Sequence, residues 1–201
     1  MSPLWSICRP DDQKLRCFLE LQAAQSFSYA EIGQSGEGAP AGYDHDHNRQ
    51  RLGQGKPVFD AARRALAQWQ MFPSPWTEIW PAGSRQDVGT PLLMIARVFG
   101  LWWINACRIV YHMEGHSSSR RCGFAYGTLP GHIEQGEERF MVEWDREDNV
   151  WYDLRAFLRP HYWLVRLGYP VTRRLQRRFV RQSQAAMRRI AQSAIAPGET
   201  K

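Results

Sequence analysis

The sequence predicts an α+β protein in which a curved antiparallel sheet of about six to seven strands grips a long C-terminal helix. Three observations lead there. Between Trp76 and Pro160, apolar or alternating runs recur at short intervals. The breaks between them carry turn residues: Pro81 with Gly83, Gly100, Gly115 with three serines, Pro130 with Gly131, and Asp148 with Asn149. Connections this short join antiparallel neighbours and leave no room for crossover helices. Beyond the strands, Val171 to Ala194 reads as one amphipathic helix, and a sheet of that width must bury a face against it.

Taken in order, residues 1–25 read as an N-terminal extension in which LRCFLELQAAQ forms a short helix. Phe27 to Ile32 is short and partly alternating, as in an edge strand. The stretch GQSGEGAPAGYDHDHNRQRLGQGKP follows as a long loop, because its glycines and prolines break both helix and strand. Asp60 to Trp69 reads as a helix capped by Asp60, with Phe59, Leu66 and Trp69 on one face, stopped by the prolines between Phe72 and Pro75. The strands are expected at Trp76 to Trp80, Leu92 to Phe99, Trp102 to His112, Arg121 to Thr128, Glu138 to Trp144 and Val150 to Leu158. Alternation is clearest in the last two, where Phe140, Val142 and Trp144 oppose Met141, Glu143 and Asp145, and Tyr152, Leu154 and Ala156 oppose Asp153 and Arg155. Residues 26–196 are then the core of a single domain spanning 1–201, with 197–201 as a tail.

The chain of 201 residues carries a net charge of +6, but the charge is not spread evenly. From Val171 to Lys201 seven arginines and Lys201 stand against Glu199 alone, so this segment holds +7 and the rest of the chain −1. A protein that coats nucleic acid through a uniformly basic surface is therefore not expected. On a helical wheel the packing face of the last helix holds Leu175, Phe179, Met187 and Ile190. Its other side is cationic, with Arg173, Arg174, Arg177, Arg178 and Arg181 in the first half. Pro91 to Tyr111 approaches the length of a bilayer span, yet Arg97, Asn105 and Arg108 interrupt it, each arginine at mid-bilayer costing roughly 2.5–3.5 kcal/mol. Two strands joined at Gly100 fit it better, and no transmembrane segment is expected. The four cysteines, Cys8, Cys17, Cys107 and Cys122, form no CxxC and read as reduced core thiols. The opening residues lack a basic stretch followed by an uninterrupted apolar run, so the cytoplasm is the expected location.

A curved antiparallel sheet gripping a long helix is the helix-grip arrangement of START and Bet v 1-like domains, which leaves a hollow suited to an apolar or amphipathic molecule. The aromatic set Trp69, Trp76, Trp80, Trp102, Trp103, Trp144, Trp151 and Trp163 either lines such a hollow or forms dense core. The densest polar constellation is YGTLPGHIEQGEERF, Tyr126 to Phe140, which concentrates His132, Glu134, Glu137, Glu138 and Arg139 about one turn. A histidine oriented by a carboxylate serves as a general acid or base. The competing structural reading has Glu138 and Arg139 satisfying turn amides and pairing with one another, and His132 bonding a buried carbonyl. His45 and His47 could chelate on an extended chain, but no second ligand cluster accompanies them, so no metal and no cofactor is expected. No P-loop, GxSxG, HExxH or GxGxxG pattern is present.

Together with GYDHDHNRQRLGQG, FDAARRALAQWQMF and VWYDLRAFLRP, the YGTLPGH and GEERF pair resembles the uncharacterised family DUF1990, from about Phe27 to Met187. Ile133 stands where relatives commonly have proline. The resemblance implies one intracellular domain and directs attention to Tyr126, His132, Glu134 and Glu138. The leading expectation is a domain binding a small hydrophobic or amphipathic molecule between sheet and helix. Tyr126, Glu134, Arg139, Trp103 and Tyr152 would be its ligand-binding residues. Two alternatives stand beside it: an enzyme using His132 and Glu138 as general acid and base in the same hollow, or a protein whose cationic helix face meets nucleic acid or an anionic lipid surface. Nucleic acid is not an expected partner, because no aromatic residue is interleaved with the arginines and a solvated cationic face is the commoner outcome.

Overall fold

The computed structural model describes residues 5–36, 38, 40–72, 75–116, 120–162 and 168–194. Trp163, the three serines after His116 and the 197–201 tail lie outside these. The strands are β1 (Trp5–Ser6), β2 (Asp44–Gln54), β3 (Thr77–Trp80), β4 (Pro91–Val98), β5 (Leu101–His116), β6 (Arg120–Thr128), β7 (Glu134–Trp144) and β8 (Asn149–Pro160). The helices are α1 (Asp12–Ala23), α2 (Gly55–Ala67) and α3 (Tyr169–Ser193), with a 3₁₀ turn at Gln34–Gly36. The strands form one antiparallel sheet in the order β2-β8-β7-β6-β5-β4-β3, with β1 paired to β5. This is the expected α+β helix-grip class: the curved sheet holds α3 along one face.

The two sheet faces carry different layers. On the inner face, Leu92, Cys107, Ile109, Phe124, Phe140, Val142, Tyr152 and Leu154 pack against Val58, Ala62 and Leu66 of α2 and Met187 and Ala191 of α3. On the outer face, Leu93, Ile95, Ile104 and Ala106 meet Leu15, Phe18 and Leu19 of α1. Strand alternation sorts the side chains between these layers. α1 begins where the side chain of Asp11 accepts the Lys14 backbone N–H at 2.9 Å, a helix N-cap.

Most strands fall where alternation places them, and Pro91 to Tyr111 is a β4–β5 hairpin. Its two-residue loop, Phe99 and Gly100, has both φ values positive, 54° and 78°. That geometry favours Asn-Gly, and a bulky residue in the left-handed region is strained. Phe99 is 81% exposed and gains no burial in return. Phe99→Asn is accordingly expected to stabilise the protein by about 0.5–1 kcal/mol in urea unfolding, and a loss would contradict this account.

Four expectations are corrected. The long loop after Gly33 contains β2, an edge strand paired with β8 from Asp44↔Leu158 to Gln54↔Asn149. Hydrophobic periodicity misses it because both its faces are largely polar and only Leu52 enters the apolar core. Phe27 to Ile32 is not a strand but an irregular segment lying on the outer face, with the Ser28 N–H donating to the Thr128 carbonyl at 2.9 Å. α2 starts five residues earlier than expected, at Gly55, and Asp60 pairs with Lys56 rather than capping the helix. Cys107 and Cys122 are buried but Cys8 and Cys17 are exposed, so two of the four thiols are not core.

Of the tryptophans in the described residues, Trp69 alone belongs to the core. Trp69 is buried, while Trp76, Trp80, Trp102, Trp103, Trp144 and Trp151 are half-buried. An indole N–H needs an acceptor, and several find theirs at the surface: Trp76 on Gln182, Trp80 on Asp12, Trp144 on Asp148 and Trp151 on Asp145. Arginines cover the ring faces, Arg97 over Trp102 and Arg120 over Trp144 among them. The inner core is built instead from phenylalanine and tyrosine, with Phe124 stacked on Phe140 at 5.5 Å.

Candidate functional site

The polar constellation straddles the sheet. β6 and β7 pair so that Tyr126 lies directly across from Glu138, both on the inner face. The Tyr126 hydroxyl donates to Glu138 Oε2 at 2.5 Å. Two residues back on β7 is Gly136, which puts no side chain between Glu138 and Glu134 on that face. At Gly136 φ is +138° and a Cβ would lie 1.9 Å from the Phe157 carbonyl oxygen, so the position requires glycine. Glu134 is buried and accepts a hydrogen bond from the Gln176 amide of α3 at 2.6 Å. On β8, the Tyr152 hydroxyl meets Ser183 Oγ of α3 at 2.8 Å.

Burial dominates the electrostatics of this cluster. It pushes the Glu134 carboxyl up to about 7, against the pull of Gln176 and Arg173. It pushes Glu138 up to about 7 as well, opposed by the Tyr126 hydrogen bond and reinforced by the charges of Glu134 and Asp46. Tyr126, Tyr152 and Cys107 are all raised by the same desolvation, so near neutral pH they stay protonated. Glu134 and Glu138 are thus the groups of this cluster that exchange protons near pH 7.

The mouth of the cluster is made by β2 and the first turns of α3. Alternation along Asp44, His45, Asp46 and His47 sends the two carboxylates inward and the two imidazoles outward. Asp44 accepts from the Tyr169 hydroxyl, and Asp46 is clamped by both terminal nitrogens of Arg173. His47 bonds Asp153 at 2.8 Å and His45 bonds the Pro40 carbonyl at 2.8 Å. Beside Asp44 opens a recess of about 730 Å³, bordered by Tyr43, Gln135, Arg159 and Tyr169.

The remaining sequence-selected residues lie elsewhere. His132 is buried in the turn before β7, where its Nδ1 accepts the Glu134 backbone N–H at 2.9 Å. Among the described residues it meets neither the expected carbonyl nor an orienting carboxylate, and burial pulls its imidazole down to about 3, so it is neutral at physiological pH. Arg139 faces the outer side and pairs with Asp153 at 2.5 Å, away from Glu138. Trp103 is on the inner face but six residues along β5 from Ile109, the residue opposite Tyr126, roughly 20 Å away at about 3.3 Å per residue. Of the cationic stripe, Arg173 is bound to Asp46, while Arg174, Arg177, Arg178 and Arg181 remain exposed.

The structure adds Tyr169 and Gln176, which were not singled out from the sequence, at the mouth, and gives Asp44 and Asp46 a place there as inward carboxylates rather than as part of a chelating run. On the outer face Glu137 is fully buried and holds the 29–35 segment. Its carboxylate accepts the Tyr29 hydroxyl and the Gly33 N–H, each at 2.8 Å, and the Ser35 N–H and hydroxyl. Gly127 makes this possible, since a Cβ there would lie 2.1 Å from the Tyr29 hydroxyl. The GEERF motif therefore serves two faces: Glu138 inward, Glu137 and Arg139 outward.

Comparison with known proteins agrees with the motif resemblance. The pattern of the domain of unknown function DUF1990 matches residues 28–186. The chain belongs to the DUF1990 family. A UPF0548 protein of Deinococcus radiodurans is 33% identical over 188 residues, covering 86% of this chain and 91% of the relative. A UPF0548 protein of Dictyostelium discoideum is 31% identical over 191 residues, covering 86% and 88%. Among solved structures, human STARD10 aligns with a TM-score of 0.45 and 10% identity, over 90% of this chain and 80% of that one. Within this DUF1990 chain no helix among the described residues is long and apolar enough to cross a membrane.

Proposed function

We propose that this DUF1990 protein binds a small amphipathic molecule between the sheet and α3, its polar end at Tyr126, Glu138 and Glu134 and its apolar body along the neighbouring aromatic surface. The observation that carries this reading is the accessibility of Glu138. It stays partly exposed although it faces inward and its partners across β6 and β8, Tyr126 and Ala156, are buried. That partial exposure supports an approach to Glu138 from the side of α3. Burial of the apolar body would contribute about 25 cal/mol per Å², with the polar groups setting orientation. From Phe179 onward the core under α3 is packed, with Phe72, Phe140 and Phe179 in mutual ring contact and Met187 and Ala191 buried. The ligand's place is accordingly under the first two turns of α3, toward the recess beside Asp44. The reading takes the chain as one domain, since α1 and the 26–36 segment cover the outer sheet face, and it places the protein in the cytoplasm, where its four free cysteines stay reduced.

A second reading, acid–base catalysis in the same space, is favoured by the Glu138 proton near neutrality. It assigns the proton transfer to Glu138 rather than His132, whose imidazole is held neutral. Both readings are tested by a thermal-shift screen with amphipathic amines, phenols, acids and sterols. A ligand at a hundredfold excess over its Kd is expected to raise Tm by roughly 5–10 °C. Tyr126→Phe and Glu138→Gln should each weaken that ligand about tenfold while leaving circular dichroism unchanged. Failure of every class to shift Tm, or a ligand indifferent to both substitutions, would overturn the assignment.

A further inference from the structure

α3 contains no acidic residue from Tyr169 to Ser193, and Arg174, Arg177, Arg178, Arg181, Arg188 and Arg189 are all exposed along it. Arg178 lies over the Trp76 ring at 4.9 Å. The other five have no carboxylate partner among the described residues, in contrast to Arg173, which is paired with Asp46. Arg174, Arg177, Arg178 and Arg181 stand three and four residues apart, a spacing at which like charges weaken a helix. The fold therefore carries an unneutralised cationic row that works against its own stability.

Beside the second half of this row, from Arg181 on, opens a groove of about 690 Å³ between α3, β2 and the turn after α2. Arg181, Arg188 and Arg189 line it together with Gln50, Gln70 and Gln192, and no carboxylate does so among the described residues. Guanidinium groups grip phosphate through paired N–H donors. Carboxamides both donate and accept, which suits sugar hydroxyls and base edges. We propose that this groove binds the sugar-phosphate backbone of a single-stranded nucleic acid.

Three features favour that occupant. The groove's arginines continue into Arg174, Arg177 and Arg178 outside it, so that from Arg174 to Arg188 the exposed row extends about 21 Å at about 1.5 Å per residue, which exceeds one small phosphorylated molecule and matches a run of phosphates that enters the groove. The site is recessed, so one strand can enter it while a stiff duplex meets only its rim. An anionic bilayer is flat and is held by inserted apolar side chains; the large apolar residue α3 exposes among those described is Val171, in its first turn. Because the groove has few stacking rings, binding is expected to be electrostatic, tolerant of sequence and sensitive to salt.

The test is fluorescence anisotropy with a labelled 15-nucleotide oligo-dT and oligo-U, the duplex of the same length, and, by sedimentation, vesicles of phosphatidylcholine with 30% phosphatidylserine. The single strands are expected to bind at 50 mM salt and to weaken roughly 10- to 100-fold by 200 mM, as for three to five neutralised phosphates at a slope of about −0.7 each. The triple variant Arg181→Gln, Arg188→Gln, Arg189→Gln should lose at least about tenfold at 50 mM, with a slope shallower by about 2. Arg16→Gln on α1 should bind as the parent does. All four positions are exposed, and circular dichroism verifies the fold. No anisotropy change at 50 mM, a preference for duplex or for vesicles, or a triple variant that binds like the parent would overturn the proposal.

Discussion

Glu137→Ala is expected to destabilise the protein by on the order of 3–5 kcal/mol, as when a buried, fully bonded charge is removed from its partners. The carboxylate is buried and collects four donors from one segment: the Tyr29 hydroxyl, the Gly33 N–H, and the Ser35 N–H and hydroxyl. Alanine leaves three of them without an acceptor, while the Ser35 hydroxyl keeps the Tyr111 hydroxyl at 2.7 Å. Each unsatisfied buried donor costs about 1–3 kcal/mol, and the segment can recover part of this only by lifting off and hydrating its amides. Lifting off uncovers Phe157, which packs against the Tyr29 ring at 5.7 Å. Guanidinium unfolding measures the loss, and limited proteolysis should show cleavage near Tyr29 appearing with it. Gly127→Ala provides an independent route to the same state, since its Cβ would displace the Tyr29 hydroxyl from 2.1 Å. A loss below about 1 kcal/mol for Glu137→Ala would mean that the segment is not held by this carboxylate.

The second large effect is one of pH. The Glu134 and Glu138 carboxyls are raised to about 7 from an ordinary 4.5, so the folded protein holds protons that the unfolded chain has already released. Their contribution to stability is complete below about pH 4.5 and is lost as pH rises through 7. At about 1.4 kcal/mol per pH unit this amounts to as much as roughly 3 kcal/mol for one group, less than double for the two because they interact. Glu138→Gln removes one of these protons from the balance and keeps an acceptor for the Tyr126 hydroxyl. The variant is expected to be more stable than the parent by about 1–3 kcal/mol at pH 8, with the difference shrinking toward pH 5. His132 acts in the opposite sense, since its imidazole is pulled to about 3 and destabilises the fold as pH falls below 6.5, but it is common to both proteins and cancels between them. Urea unfolding at pH 5, 6, 7 and 8 decides the matter. A difference that did not change with pH would show that Glu138 is ionised throughout.

Together these two results would separate the roles of adjacent residues in one motif. Loss of stability on removing Glu137 marks a structural anchor, whereas gain of stability on neutralising Glu138, coupled to loss of ligand, marks a group retained at a stability cost for what it does. That pairing also explains why a compact polar turn reads as one site in the sequence. Residues 137 and 138 are adjacent in the chain, but the pleat sends them to opposite faces about a sheet's thickness apart.

The elements legible in the sequence were those whose side chains divide cleanly into apolar and polar sets. β7 and β8 alternate, α3 has a wide apolar stripe, and the β4–β5 hairpin is marked by Gly100 between two apolar runs. β2 was not legible, because its inward residues Asp44 and Asp46 are compensated by Tyr169 and Arg173, partners 125 and 127 residues away. The same reason hid the mouth of the site. The tryptophans misled in the other direction: their number suggests cavity wall or dense core, but apart from Trp69 those described between Trp76 and Trp151 are half-buried, and the N–H groups of Trp76, Trp80, Trp144 and Trp151 find carboxylates and an amide near the surface.

By itself the sequence determined the fold class, the family and the confinement of the positive charge to one helix, because each is written in local periodicity or in contiguous motifs. Only the tertiary structure decided which of the motif's charged residues look inward, that Glu138 rather than His132 carries an exchangeable proton near neutrality, and that six of the helix's arginines have no acid to meet among the described residues. Those outcomes depend on desolvation and on pairings between distant strands, and neither exists until the sheet has closed on the helix.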